Sequence, residues 1–151
     1  MTEKNSTSLI QHIGVVWFAL MAIGALAWFL LIAIETSKQL IATPESISFE
    51  KGVFYLLGVG ISLGALLAFM LIEVIKKKPP TDHVSKKIGR VALLGVVLML
   101  LLPHAVQYGI ENYLEPKGYG ICDSASYQWL HHRIIVYTNN AETCIQLSKL
   151  Q

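Results

Sequence analysis

Residues 76–90 read Lys76-Lys77-Lys78-Pro79-Pro80-Thr81-Asp82-His83-Val84-Ser85-Lys86-Lys87-Ile88-Gly89-Arg90, and they hold six of the chain's 12 basic residues against a single acid, Asp82. A run without Asp, Glu, Lys or Arg lies on each side, Gly52–Ile72 before and Val91–Ile110 after, and a third such run, Ile13–Ile34, comes earlier. These runs are 22, 21 and 20 residues long in chain order. Each matches the ~20 residues a helix needs to cross ~30 Å of hydrocarbon at ~1.5 Å per residue. A basic loop between two such runs reads as a cytoplasmic loop between membrane-spanning helices.

Working outward, the expected fold is an all-α membrane protein. Three transmembrane helices, at 13–34, 52–75 and 89–110, form a domain of residues 1–110 with a cytoplasmic loop at 76–88. Residues 111–151 form a small extracytoplasmic C-terminal module. Composition agrees, with 54% hydrophobic and only 15% charged residues in 151, where a soluble domain carries about a quarter charged. The first run is too long for a signal-peptide core and no clean small-x-small site follows it, so it is expected to stay as a helix.

Charge sets the orientation. Loop 76–90 carries +5, whereas loop 35–51 (Lys38 and Lys51 against Glu35, Glu45 and Glu50) and the tail 111–151 (Lys117, Arg133 and Lys149 against Glu111, Glu115, Asp123 and Glu142) each carry −1. The positive-inside rule puts the basic loop and the N-terminus in the cytoplasm, and loop 35–51 and the tail outside. The basic cluster can also meet anionic membrane lipids. Nucleic acid is not an expected partner, because orientation accounts for the charge.

Cysteine usage points the same way. The only two cysteines, Cys122 and Cys144, both fall in the tail. In an oxidising compartment, and in a segment too small for a full core, they read as one disulfide. A loop of this length is worth about 3 kcal/mol in the chain-entropy model. Neither a zinc site, which needs four ligands, nor a C-x-x-C redox motif fits.

Several residues stand out along the spans. Trp17 and Trp28 suit the two ends of span one as belt aromatics. Gly60 and Gly64 form G-x-x-x-G in span two, which suits close helix packing within this chain or a seam for another helix. Span three contains Pro103 and ends in His104, Gln107, Tyr108 and Glu111, spaced to share one helix face. Such an intramembrane polar face is either a functional element or a satisfied helix end near the outer surface.

The tail should hold short strands at Tyr119–Cys122 and Arg133–Thr138, the latter rich in β-branched residues, then a turn at Asn139-Asn140 and a helix from Ala141. Its aromatic and basic residues, Tyr119, Tyr127, Trp129, His131, Arg133 and Tyr137, are of the types that dominate interface hot spots. They are the expected partner-binding set, with a share in the module's small core as the alternative. A catalytic set written from Ser124 or Ser126, His131 and Asp123 lacks a nucleophile elbow. No phosphate loop, dinucleotide fingerprint or H-E-x-x-H occurs. The expectation is therefore a protein with no catalytic residues, no metal and no cofactor.

Three short spans, no catalytic set and a stapled outer tail resemble the small membrane immunity proteins of bacterial toxin systems, and also small inner-membrane proteins of enterobacteria with a similar Cys-bearing C-terminal end. The resemblance implies tight binding of a toxin or secreted effector acting in the periplasm or membrane. It carries no residue-level correspondence. The other reading is an accessory subunit of a resident transporter or envelope complex, docked through Gly60, Gly64 and the His104 face.

Overall fold

The computed structural model describes residues 3–129 and 132–149, with side chains at 12–128 and 133–149. Among the described residues, three helices are long and apolar enough to cross a membrane. Helix α1 is Glu3–Ala42, α2 is Tyr55–Lys76 and α3 is Asp82–Leu114. Large apolar side chains stand open along them, such as Leu20, Ile23, Leu93 and Leu101, each more than 60% exposed. Water does not tolerate stripes of that size, and hydrocarbon does. Trp17 and Trp28 are likewise exposed.

The helix ends follow from local chemistry. Helix α1 runs past its apolar stretch to Ala42, where Thr43 takes a left-handed φ of 43°. Its N–H donates to the Gln39 carbonyl at 3.0 Å, the αL form of a helix stop, and Pro44 follows. Helix α2 stops at Lys76, ahead of left-handed Lys77 and the Pro79-Pro80 pair. Helix α3 starts at Asp82, an acid in the first turn that complements the helix dipole. Lys86, Lys87 and Arg90 therefore stand on the first turns of α3, and the segment between helices shortens to 77–81. Pro103 is accommodated within α3 as a buried residue.

The chain divides into two compact units, one of Met1–Ala27 with Leu56–Met99 and the other of Trp28–Tyr55 with Leu100–Gln151. In the first unit every described buried residue is Gly or Ala: Ala22, Gly58, Gly60, Ala65 and Gly95. A Cβ on Gly58 would collide with the backbone of Gly95 and Met99, and one on Gly60 would stand 2.6 Å from Leu26. Ser62 Oγ donates to the Ala92 carbonyl at 3.0 Å. Helix α2 thus turns Gly60 toward α1, and Gly58 with Ser62 toward α3, the close approach that small residues permit between helices in lipid.

The second unit is built on a four-stranded antiparallel sheet. Strand β1 is Ser46–Glu50, β2 Gly120–Ile121, β3 Tyr127–Trp129 and β4 His132–Thr138. Strand β4 is central: β1 pairs along one side of it (Ile47 with Tyr137, Phe49 with Ile135), and β2 and β3 share the other. Segment 46–50, which the charge count treats only as part of a loop, is therefore the longest partner of the tail's central strand. Its Ser-Ile-Ser-Phe-Glu alternation carries the period of two that a half-buried strand shows.

Because the period is two, each sheet face collects its own set. One face turns Ile47, Phe49, Ile135 and Tyr137 onto Phe54, Ile110, Leu114 and Tyr119, with Phe29 and Leu40 packed against the cluster. Phe54 sits edge-on to Phe29 with ring centroids 5.7 Å apart, and 5.1 Å from Phe49. The other face packs Val136 and Ile134 against Cys122, Ala125, Cys144 and Leu147. Cys122 and Cys144 form the expected disulfide, with Cα atoms 5.7 Å apart. It ties the segment after β2 to the last helix, α4 (Ala141–Ser148). Asn140 caps α4 by accepting a hydrogen bond from the Glu142 N–H at 3.0 Å.

Candidate recognition surface at the sheet end

The turn after α3 positions the module. A short 3-10 turn, Glu115–Lys117, follows the helix, and Gly118 takes φ 81°. The Gly118 N–H donates to the Glu115 carbonyl at 3.0 Å and the Tyr119 N–H to the Leu114 carbonyl at 3.3 Å. This is a Schellman stop, with the glycine at its left-handed position and an apolar contact between Tyr119 and Leu114. The chain so reversed sends the Tyr119 hydroxyl to the Pro44 carbonyl at 2.6 Å. Thr143 Oγ1 donates to Glu45 Oε2 at 3.5 Å and the Asn139 N–H to the Glu45 carbonyl at 3.4 Å. Gln39 Oε1 accepts from the Ser48 N–H at 3.2 Å on the outer edge of β1. Segment 44–50 is held from three sides.

The expected partner-binding residues separate into two kinds. Tyr119 and Tyr137 are 8% and 2% exposed and belong to the core. This corrects their place in a contact surface: their rings fill the space between sheet and helix ends. Tyr127, 52% exposed, and Arg133 are at the surface of the β3–β4 pair. Arg133 pairs with Gln128 and Tyr127 with Ile134, so Tyr127 and Arg133 lie on opposite faces of the ribbon. Trp129 is described as backbone, paired with His132, and His131 lies outside the described residues. Ser126 is structural: its hydroxyl donates to the Cys122 carbonyl at 2.8 Å and accepts from the Val136 N–H at 3.1 Å.

The polar face at the end of α3 also divides. Gln107 Nε2 donates to Glu111 Oε1 at 2.8 Å, and the Tyr137 hydroxyl reaches the same oxygen at 3.4 Å. Burial, and then the nearby Glu111 carboxylate, push the Tyr137 hydroxyl's pKa well above its ordinary value, because the phenolate would be both desolvated and repelled. His104 does not join this network. Its Nδ1–H donates to the Leu100 carbonyl of its own helix at 3.1 Å, and Tyr108 stands 69% exposed. Beside Glu111 a cleft of about 230 Å³ opens, lined by Leu114, Glu115, Tyr119, Ile121 and Tyr137. Two carboxylates and aromatic walls give it the character of a seat for a cationic group. The cleft gathers residues of 111–137 that only the fold brings together, and β1 is not visible along the tail because it lies far upstream, in loop 35–51.

Of the G-x-x-x-G pair, Gly60 packs on α1, while a Cβ on Gly64 would meet nothing within 4 Å. The closest crossing is instead carried by Gly58, Ser62 and Gly95, which a small-x-x-x-small scan including serine would have found at Gly58-x-x-x-Ser62.

Residues 47–145 match the model of a family described as protein of unknown function (DUF1240). The matched segment starts within β1 and ends one residue after Cys144. No curated protein matches the chain, and no solved structure does.

Proposed function

Because this chain belongs to the DUF1240 family, whose description carries no activity, we propose its function from the geometry: it is a non-enzymatic binding protein of the bacterial inner membrane, of the immunity type. It neutralises a toxin or secreted effector that acts in the periplasm or the membrane. The observation that carries this reading is the build of the sheet end. Strand β4 is central, its disulfide-side face is stapled by Cys122–Cys144, and Tyr127 and Arg133 project from its ribbon with β3. A rigid scaffold presenting tyrosine and arginine loses little entropy on binding, the condition under which a small interface becomes tight. The acidic cleft beside Glu111 supplies a complement for a basic group of the partner.

The basic segment 76–90 supports a cytoplasmic position for that segment and for the N-terminus. The disulfide supports a periplasmic position for the module, by the separate criterion of redox compartment. The pairing of β1 with β4 fits three crossings, which bring loop 35–51 and the tail to one side.

Affinity purification of the tagged protein in mild detergent, with partners identified by mass spectrometry, tests the reading. Recovery of a toxin domain that kills cells lacking this protein is the expected result. Recovery of a resident membrane complex instead would replace it with the accessory-subunit reading, which the open face at Gly64 and exposed Tyr108 favour. Tyr127→Ala and Arg133→Ala should each weaken capture at least ~5-fold, on the usual scale of hot-spot losses. Capture unchanged in both variants would remove the β3–β4 ribbon from the interface.

A further inference from the structure

We infer that the groove between the C-terminal ends of α1 and α3 is a seat for one membrane phospholipid, its phosphate held by Lys117. The groove has a volume of about 490 Å³ and is lined by Leu40 and Ile41 of α1 and by Val106, Gly109, Ile110 and Tyr113 of α3, with Ser37 at its side. Its depth in the bilayer follows from the sequence. The uncharged run of α1 ends at Ile34 and that of α3 at Ile110, with Glu35 and Glu111 next. The groove starts inside the apolar run of α3 at Val106 and ends beyond it at Tyr113, about 10 Å along the axis. It therefore straddles the boundary where a phospholipid's upper acyl carbons give way to glycerol and phosphate.

Three observations fit that occupant. The α3 wall is apolar where the acyl chain would lie, and α1, beyond the end of its own uncharged run, adds Leu40 and Ile41, the latter 81% exposed. Gly109 leaves the floor open, since a Cβ there would meet nothing within 4 Å. At the wet end a cation is fixed in place. Lys117 Nζ donates to the Tyr113 hydroxyl at 2.7 Å and lies 3.9 Å from the Tyr113 ring centroid, and Tyr113 is itself a groove wall. A tyrosine ring at the interface beneath an ammonium group is the arrangement that anchors to lipid headgroups. The groove thus offers apolar walls below and a positive charge above, which matches an acyl chain carrying a phosphodiester. A partner helix would need no cation at that rim. The acidic Glu111 cleft is a separate cavity and plays no part.

The test is native mass spectrometry of the purified full chain in mild detergent, supplemented with palmitoyl-oleoyl phosphatidylethanolamine or with the matching diacylglycerol, which lacks phosphate. One phospholipid retained per chain, about 5-fold in preference to diacylglycerol, is the expected result, the scale of a single partly exposed ionic contact. Lys117→Met should remove that preference, and Gly109→Leu, which projects a side chain into the groove from a position whose Cβ meets nothing within 4 Å, should abolish retention. Circular dichroism and non-reducing mobility confirm that both variants remain folded and disulfide-bonded. Diacylglycerol retained as well as phospholipid, or retention unchanged in Gly109→Leu, overturns the proposal.

Discussion

The two compact units of this chain solve the same packing problem with opposite residues. Among the described residues, the apolar-helix unit buries only glycine and alanine: Ala22, Gly58, Gly60, Ala65 and Gly95. The sheet unit buries Phe49, Phe54, Leu114, Ile135 and Tyr137. The difference is one of solvent. In hydrocarbon a leucine gains little by leaving lipid for protein, so helices associate by close backbone approach, and small residues mark the contact. At the sheet end the burial of large apolar and aromatic side chains drives assembly, and a disulfide adds what a small core lacks. Among the described residues, every large side chain that is buried therefore lies in the sheet unit.

The largest test of this contrast is removal of the staple. Cys122→Ser with Cys144→Ser should cost the sheet unit about 3 kcal/mol, the chain-entropy value for a loop of this size. Hydrogen exchange read by mass spectrometry in micelles should show β4 losing protection while 56–99 stays unchanged. Equal loss in both units would mean that they do not stabilise separately.

Next in size is the helix crossing. Gly58→Ala inserts a Cβ against the Gly95 and Met99 backbone and should cost about 1–3 kcal/mol, the usual penalty for overpacking. Gly64→Ala, with open space at its Cβ, should be neutral or slightly stabilising. Thermal unfolding in detergent separates the two, and equal effects would break the claim that the contact runs through Gly58.

A smaller effect belongs to the polar tie between α3 and the sheet. Tyr137→Phe removes the hydroxyl that donates to Glu111 and should cost about 1 kcal/mol near neutral pH. The pH dependence is more telling. Because the folded pKa of Tyr137 is raised above its ordinary 10.0, the folded state keeps a proton that the unfolded chain releases. That contribution is fully present below about pH 10 and is lost as pH rises beyond it. Wild-type stability should therefore fall more steeply above pH 10 than that of Tyr137→Phe, and parallel alkaline melts would refute the coupling. The smallest expected change is Thr43→Gly. It relieves a β-branched residue held at φ 43° and should gain less than about 1 kcal/mol, offset in part by the greater freedom of glycine in the unfolded chain. Differential scanning calorimetry of the two proteins measures it.

Much of this architecture is legible in the residues. The three runs of 20 to 22 uncharged residues predict the three apolar helices, because hydrocarbon thickness demands that length. Two cysteines in one tail predict their own bridge. Ile134-Ile135-Val136-Tyr137 predicts β4 through its β-branched content, and Asn140 before Ala141 marks the start of α4. The helix ends are less legible. Glu35 and Lys38 look like a boundary to a charge count, yet α1 continues to Ala42, because charged residues are good helix formers once the chain leaves the hydrocarbon.

Sequence by itself therefore determined what depends on local composition: the three apolar runs, the strand propensity of β4, the bridge and the segment in which basic residues gather. Only the tertiary structure decided which of the tail's aromatics are buried and which project. Tyr137 and Tyr127 are the same residue type ten positions apart, but Tyr137 lies on the sheet face that packs on Ile110, Leu114 and Tyr119, and Tyr127 lies on the other face and stays open. The same packed face is completed by Ile47 and Phe49 of β1, about ninety residues earlier in the chain. No window along the tail contains them, and only pairing across the sheet brings them together.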